Sequence, residues 1–330
     1  MNNFWDTLPR PLFVLAPMAD VTDAAFRKLI AKYSKVEGAV PYVTYTEFVS
    51  ADGLALAPEE GRQKLLRDLL YDEAQRPIVA QFFTSVPEHM EKAARLAADM
   101  GFDGIDINMG CPAGPINKQG AGAELILKPE LAQAIVAAAK RGAGGIPVSV
   151  KTRVGYNRDT LEEWLPALLR AEPAAIILHA RTRKEMSAVP AKWERVKRAV
   201  EIRDELKSKT LILGNGDVKN VEEARTLAAE TGADGVMIGR GIFGNPWLFS
   251  NSHELENMPV AQRLRVAVEH TKLFEEMLGD IKSFAIMKKH FKAYVEGFAG
   301  AKELRMQMMD AASARDIEKL VEDFISASGR

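Results

Sequence analysis

Short apolar runs punctuate the chain up to about residue 240, at intervals of roughly thirty residues, the repeat of a strand followed by a helix. They read "LFVLAPM" (12–18), "YVTYTEF" (42–48), "PIVAQFF" (77–83), "GIDINMG" (104–110), "IPVSVKT" (146–152), "AAIILHA" (174–180), "TLILGNG" (210–216) and "DGVMIGR" (234–240). Their near-continuous hydrophobicity is that of parallel strands covered on both faces. Amphipathic helical stretches lie between them, such as "PEHMEKAARLAADMG" (87–101) and "KPELAQAIVAAAKRG" (128–142). The glycine closing each stretch is expected to cap its helix. Beyond about residue 250 no strand-like run occurs, and helical periodicity continues to the end.

This pattern predicts an α/β chain: a (β/α)8 TIM barrel over 1–250, then a small all-helical C-terminal domain over 251–330. Periodicity alone also fits a doubly wound open sheet. The positions of the functional side chains favour the barrel. Met18, Glu47, Gln81, Asn108, Lys151, His179, Asn215 and Arg240 all fall at or just past the C-terminal ends of their strands. In a barrel those ends converge on one face, where active sites are built.

Composition narrows the classes. At 330 residues, with 47% hydrophobic and 27% charged positions, the chain has the make-up of a globular protein. Lys and Arg number 44 against 45 Asp and Glu, so any polyanion contact must come from a local patch. One such patch is 282–305, with Lys288, Lys289, His290, Lys292, Lys302 and Arg305 against Glu296 and Glu303. The opening "MNNFWDTLPRP" has no basic leader followed by an apolar stretch, and no apolar run is long enough for a bilayer. A cytoplasmic location without membrane partners is expected.

The chemistry concentrates on the predicted barrel face. "GNGDV" (214–218) and "IGRGIFGNPW" (238–247) follow strands seven and eight, where this fold often binds phosphate through backbone N–H groups; glycines there could also simply turn the chain. Lys151 and Arg153 alternate onto one side of strand five, and a lysine in so apolar a strand calls for an anion or strong acceptor. His179 ends strand six beside Arg181, Thr182 and Arg183, and Gln81 interrupts "PIVAQFF" with an amide that needs partners. Together these suggest a flavin mononucleotide across the mouth. Cys111 is the single cysteine, in "DINMGCPAGPINKQGAG" (106–122). A thiol of ordinary pKa is protonated at neutral pH and can donate a proton. His179 as a base would make the same thiol a nucleophile. No second cysteine or HxxxH pair accompanies it, so no metal is expected.

With these residues in view, the chain resembles the flavin-dependent tRNA-dihydrouridine synthases. The likeness runs through "APMADVTDAAFR" (16–27), "VAQFFTSVPEHMEKAARLAADMGFDGIDINMGCP" (79–112), "KQGAGAELI" (118–126), "VSVKTRVGYN" (148–157), "HARTR" (179–183), "GADGVMIGRGIFGNPWLF" and "MKKHFKAYVEGFAGAKELR" (287–305). The resemblance implies FMN as cofactor and NADPH as reductant. It implies that Ala16, Pro17 and Met18 line the flavin, with Gln81, Lys151 and His179 on its polar edges. Asn215, Gly216, Asp217, Gly239 and Arg240 would bind its ribityl and phosphate groups. Cys111 corresponds to the family's proton donor, while Asn108, Arg153 and Arg181 would meet the target uracil. The partner implied is tRNA, with Lys288 and Lys289 in the helical domain as phosphate contacts and no obligate protein partner. Two stretches depart from the family pattern: "AGPIN" (113–117) lacks a basic residue, and "RTRKEMSAVPAKW" (181–193) lacks the usual Tyr and Gly. A dihydroorotate dehydrogenase-like flavoenzyme acting on a free pyrimidine is the alternative, though it gives no reason for an appended helical domain.

Overall fold

The computed structural model describes residues 3–250 and 258–328. Eight parallel strands close into a barrel in chain order: β1 (Leu12–Leu15), β2 (Tyr42–Ser50), β3 (Ile78–Phe83), β4 (Gly104–Met109), β5 (Val148–Arg153), β6 (Ala175–His179), β7 (Leu211–Asn215) and β8 (Gly235–Ile238). The predicted fold is thus the observed one, and each apolar run lands on its strand within a few residues. Closure is made by β1 against β8, with Leu12 paired to Gly235 and the Ala16 N–H donating to Ile238 O at 2.9 Å. A side chain at Gly235 would collide with the Leu12 backbone, so closure needs a glycine there.

The register decides which strand ends meet. Gln81 pairs with Asp106, Asn108 with Lys151, Arg153 with His179, and His179 with Asn215. Residues scattered over more than 130 positions of sequence become neighbours on one rim.

Both sampled helices form, each opened by a proline, whose missing N–H costs nothing in a first turn: Pro87–Asp99 and Pro129–Gly142. Gly101 follows the first with φ 81°, the left-handed turn expected of a helix-ending glycine. Gly142 does not cap its helix. It lies inside it, where a Cβ would sit 2.1 Å from the Glu91 carbonyl oxygen, so its role is close helix–helix packing. The left-handed turn passes to Gly144, φ 61°.

Two compact units result, Met1–Pro17 with Pro41–Leu69 and Arg76–Arg240, and Met18–Val40 with Leu70–Gln75 and Gly241–Arg330. The sequence boundary drawn at 250/251 runs into residues 251–257, which lie outside the described residues. The second unit is helical over Ala24–Ser34, Val260–Leu278, Lys288–Tyr294, Ala301–Asp310 and Ala314–Ser328. Its core gathers Phe26, His270 and His290: the Phe26 ring stacks on His270 at 4.5 Å and meets the edge of His290 at 4.7 Å. His290 therefore does not belong to the exposed basic patch into which the sequence pattern groups it. It is fully buried, and burial drives its pKa down to about 3, so it is neutral. Helical spacing, not charge, governs its position: the apolar face of Lys288–Tyr294 includes His290, Phe291 and Tyr294. No helix among the described residues is long and apolar enough to cross a membrane.

Candidate active site at the barrel mouth

The inner ends of β3 and β4 carry a polar cluster. Gln81 Nε2 donates to Asp106 Oδ2 at 2.7 Å, and its Oε1 accepts from Asn108 Nδ2 at 3.1 Å. The amide interrupting "PIVAQFF" therefore finds protein partners; Gln81 retains a second N–H and a second lone pair for a ligand, whereas Asn108, whose oxygen already takes two backbone donors, retains only its second N–H. Asp106 was not singled out by the sequence, although it alternates onto the same inward face as Asn108. Ser149 Oγ gives Asp106 a second bond at 2.6 Å, and burial raises this carboxyl to about 7 against the lowering effect of these donors.

Cys111 is held at both ends of its peptide. Its N–H donates to Asn108 Oδ1 at 2.9 Å, and its carbonyl accepts from Ala123 N at 3.1 Å and Asn117 Nδ2 at 3.2 Å. Gly122, φ 63°, makes this possible: a Cβ there would stand 3.0 Å from the Cys111 oxygen. The loop glycine serves close approach, and the segment beyond folds into the helix Gly114–Lys118 and the 3-10 turn Gly122–Leu127. The half-buried Cys111 packs against Phe83, Ile116 and Ala121. Burial pushes its thiol above its ordinary value, partly offset by the Ala113 backbone and by Lys151 and Arg153, so at neutral pH it keeps its proton.

Lys151 and Arg153 do share one face of β5, while Thr152 turns outward to accept from Trp164 Nε1 at 3.0 Å. Their surroundings differ. Lys151 Nζ has no hydrogen-bond partner among the described residues, and burial together with Arg153 lowers it to about 8, while Asp106 and Cys111 oppose that shift. Arg153 is engaged with backbone: its Nε donates to Gly110 O at 2.7 Å and its Nη1 to Thr182 O at 3.1 Å. It ties the Cys111 loop to the loop after β6.

His179, Arg181, Asp217 and Arg240 form a second cluster. Arg181 is buried, donating from Nε to Val189 O at 2.6 Å, from Nη1 to His179 Nε2 at 3.2 Å, and from Nη2 to Asp217. A guanidinium only donates, so His179 Nε2 accepts and its proton sits on Nδ1. Burial and four nearby cations keep His179 neutral, with its pKa well below the usual value. Asp217 also takes Arg240 Nη2 at 2.5 Å and Ala191 N at 2.9 Å, and the Arg181 bond holds its carboxyl below the ordinary range. Gly216, φ 132°, runs so close beneath His179 that a Cβ would come within 3.2 Å of the imidazole. Asn215 Nδ2 binds Met237 O at 2.9 Å, joining β7 to β8, and Gly239 leads into the 3-10 turn Arg240–Ile242.

The remaining candidates lie outside these clusters. Ala16 and Pro17 are buried just past β1, while Met18, in the second unit, donates its N–H to Thr22 Oγ1 at 2.9 Å. Lys288 is half-buried and Lys289 exposed in the second unit, and Lys289 Nζ stands 3.2 Å from Asp20 Oδ2.

Comparison with known proteins matches the chain to a family. Residues 14–328 match the dihydrouridine synthase (Dus) family. The "probable tRNA-dihydrouridine synthase" of Staphylococcus epidermidis is 41% identical over 326 residues, covering 98% of this chain and 96% of that protein. The "probable tRNA-dihydrouridine synthase 2" of Bacillus subtilis is 39% identical over 98% of this chain and 97% of its own length. Among solved structures, histamine dehydrogenase from Rhizobium sp. 4-9 superposes with a TM-score of 0.53 at 13% identity, covering 82% of this chain and 51% of that one, a likeness of fold. With its barrel closed in chain order and the family's sequence running through it from end to end, the chain belongs to the dihydrouridine synthase family.

Proposed function

We propose that the protein is a tRNA-dihydrouridine synthase that reduces the C5=C6 bond of uridines in tRNA, using flavin mononucleotide with NADPH as reductant. The observation that carries this reading is the placing of a thiol, Cys111, beside a lysine whose Nζ has no hydrogen-bond partner among the described residues: Cys111 N–H is bound to Asn108, and Asn108 pairs in register with Lys151 on the neighbouring strand. The residues present fit a flavin. Among the described residues Lys151 Nζ lacks an acceptor, Gln81 retains a donor and an acceptor site, and Asn108 retains a donor. Bound there, a reduced flavin would supply the hydride for C6 of the uracil.

The chain's own part is to bind, orient and protonate. Lys151 would offset negative charge on the isoalloxazine edge, and Arg240, largely exposed, would meet the phosphate. Cys111 donates its proton to C5, and the resulting thiolate recovers one from solvent. A base in folded RNA must leave its stack to reach a barrel mouth, so extrusion of the target nucleotide is part of the reading. Lys288 and Lys289 would contact RNA phosphates, and the enzyme would work in the cytoplasm, where mature tRNA is found.

Two measurements test this. Purified protein should be yellow, with flavin absorbance released on denaturation; a colourless protein that FMN cannot reconstitute would overturn the cofactor. Transfer RNA from cells lacking the protein should lose dihydrouridine at specific positions. Unchanged levels at every position, in a strain with no other family member, would overturn the substrate.

A further inference from the structure

A hydrogen-bonded run leads from Tyr45 on β2 through residues of β5, β4 and β3 to the Cys111 loop. Tyr45 Oη lies 3.1 Å from Ser149 Oγ, and Ser149 Oγ gives its proton to Asp106 Oδ1 at 2.6 Å. Gln81 Nε2 donates to Asp106 Oδ2 at 2.7 Å, and Asn108 Nδ2 donates to Gln81 Oε1 at 3.1 Å. Asn108 Oδ1 then accepts from Gly110 N at 3.1 Å and Cys111 N at 2.9 Å. Tyr45, Gln81, Asp106 and Ser149 are each at most 1% exposed, so water is a poor substitute partner.

The polarity of this run is set at one end. An ionised carboxylate only accepts, so Gln81 must turn its Nε2 toward Asp106. Its Oε1 is then left for Asn108, which must answer with Nδ2. That in turn leaves Asn108 Oδ1 for the two backbone donors. Flipping either amide would set donor against donor in a buried site, at the cost of unmet hydrogen bonds.

We propose that Asp106 is a positioning residue which, by fixing the orientations of Gln81 and Asn108, holds Cys111 in place for proton delivery. This rests on the reading of Cys111 as the proton donor. The arrangement tolerates a proton on the carboxyl. Oδ1 can carry it, because Ser149 Oγ can then accept and turn its own hydrogen to Ile105 O, 3.3 Å away. Oδ2 continues to accept from Gln81. An asparagine at this position has the same escape, with its oxygen toward Gln81 and its nitrogen toward Ser149; an alanine has none.

The test compares wild type, Asp106→Ala and Asp106→Asn by hydrogen exchange at the Gly110 and Cys111 amides, and by iodoacetamide alkylation of Cys111 as a function of pH. Asp106→Ala should speed exchange at both amides by about tenfold or more and move the alkylation midpoint down toward that of a free thiol. It should also lower kcat on tRNA by roughly 10–100-fold with a smaller change in KM. Asp106→Asn should recover most of each effect. Wild-type exchange and alkylation in Asp106→Ala, or an Asp106→Asn variant as defective as Asp106→Ala, would overturn the proposal. If Asp106→Ala does not fold, Gln81→Met cuts the run at its next link and the same readouts decide. Loosened amides in Asp106→Ala alongside a wild-type protein that makes no dihydrouridine would leave the loop anchoring standing and remove the activity reading instead.

Discussion

Arg153 donates its Nε–H to the carbonyl of Gly110 at 2.7 Å, one residue before Cys111. The same guanidinium reaches Thr182 O, so a single side chain on β5 secures the loops after both β4 and β6. Its long-range cost and benefit follow from burial. A charged donor is desolvated, and three backbone carbonyls, those of Gly110, Thr182 and Met186, compensate it.

Removing that clamp should therefore cost stability as well as activity. Arg153→Met is expected to lower unfolding free energy by about 2–3 kcal/mol, the scale of hydrogen bonds to a charged group, read as a lower urea midpoint at unchanged slope. Arg153→Lys should recover only part, because an ammonium cannot span carbonyls on two loops as a planar fork does.

Cys111→Ala removes the proposed proton donor while keeping the backbone hydrogen bonds that anchor residue 111. Flavin retention and flavin reduction by NADPH should persist, while dihydrouridine formation falls by roughly 10²–10⁴-fold. Single-turnover oxidation of the reduced enzyme by tRNA separates these steps. Normal product formation by the variant would remove Cys111 from the mechanism.

Lys151 gives a pH-dependent prediction with a definite sign. Its folded pKa of about 8 lies below its ordinary value of 10.5, so the folded protein without an anion disfavours the charged form. Stability of the flavin-free protein should rise as pH climbs through about 8 toward 10.5, and Lys151→Met should stabilise it at pH 7 by about 3 kcal/mol. The same variant should retain flavin poorly. Denaturation with and without flavin distinguishes the two effects.

The buried histidines of the helical unit predict sensitivity to acid. His290 titrates near 3 when folded and near 6.5 when unfolded, so the unfolded chain binds the proton first and stability is lost as pH falls below 6.5. His270, also lowered by burial and by His290, adds to the slope. At pH 5 His290 should cost about 2 kcal/mol relative to pH 7.5. His290→Phe should flatten the dependence of the urea midpoint on pH between 5 and 7 by close to one proton.

The strands and the helical C-terminal region were legible in the sequence because their signals are local. Period-two and period-3.6 patterning, proline openings and glycine turns act within a few residues, and all eight apolar runs became strands. The lone thiol and the isolated Lys151 were legible as well, since an apolar strand leaves a charge conspicuous. His290 was not, because Lys288, Lys289 and Lys292 lie close to it in sequence, whereas the rings around it in space include Phe26, Phe243 and His270.

What the sequence determined by itself is the order of elements and the face on which their ends would meet. What tertiary structure decided is the partnership of each polar group on that face. Arg181 is a buried strut between His179 and Asp217, Arg153 a clamp on backbone carbonyls, and Asp106 the acceptor on which Gln81 is oriented. Hydrogen bonds act over about three ångströms, and residues 81, 106 and 149 come within that reach only once the barrel closes with one particular register.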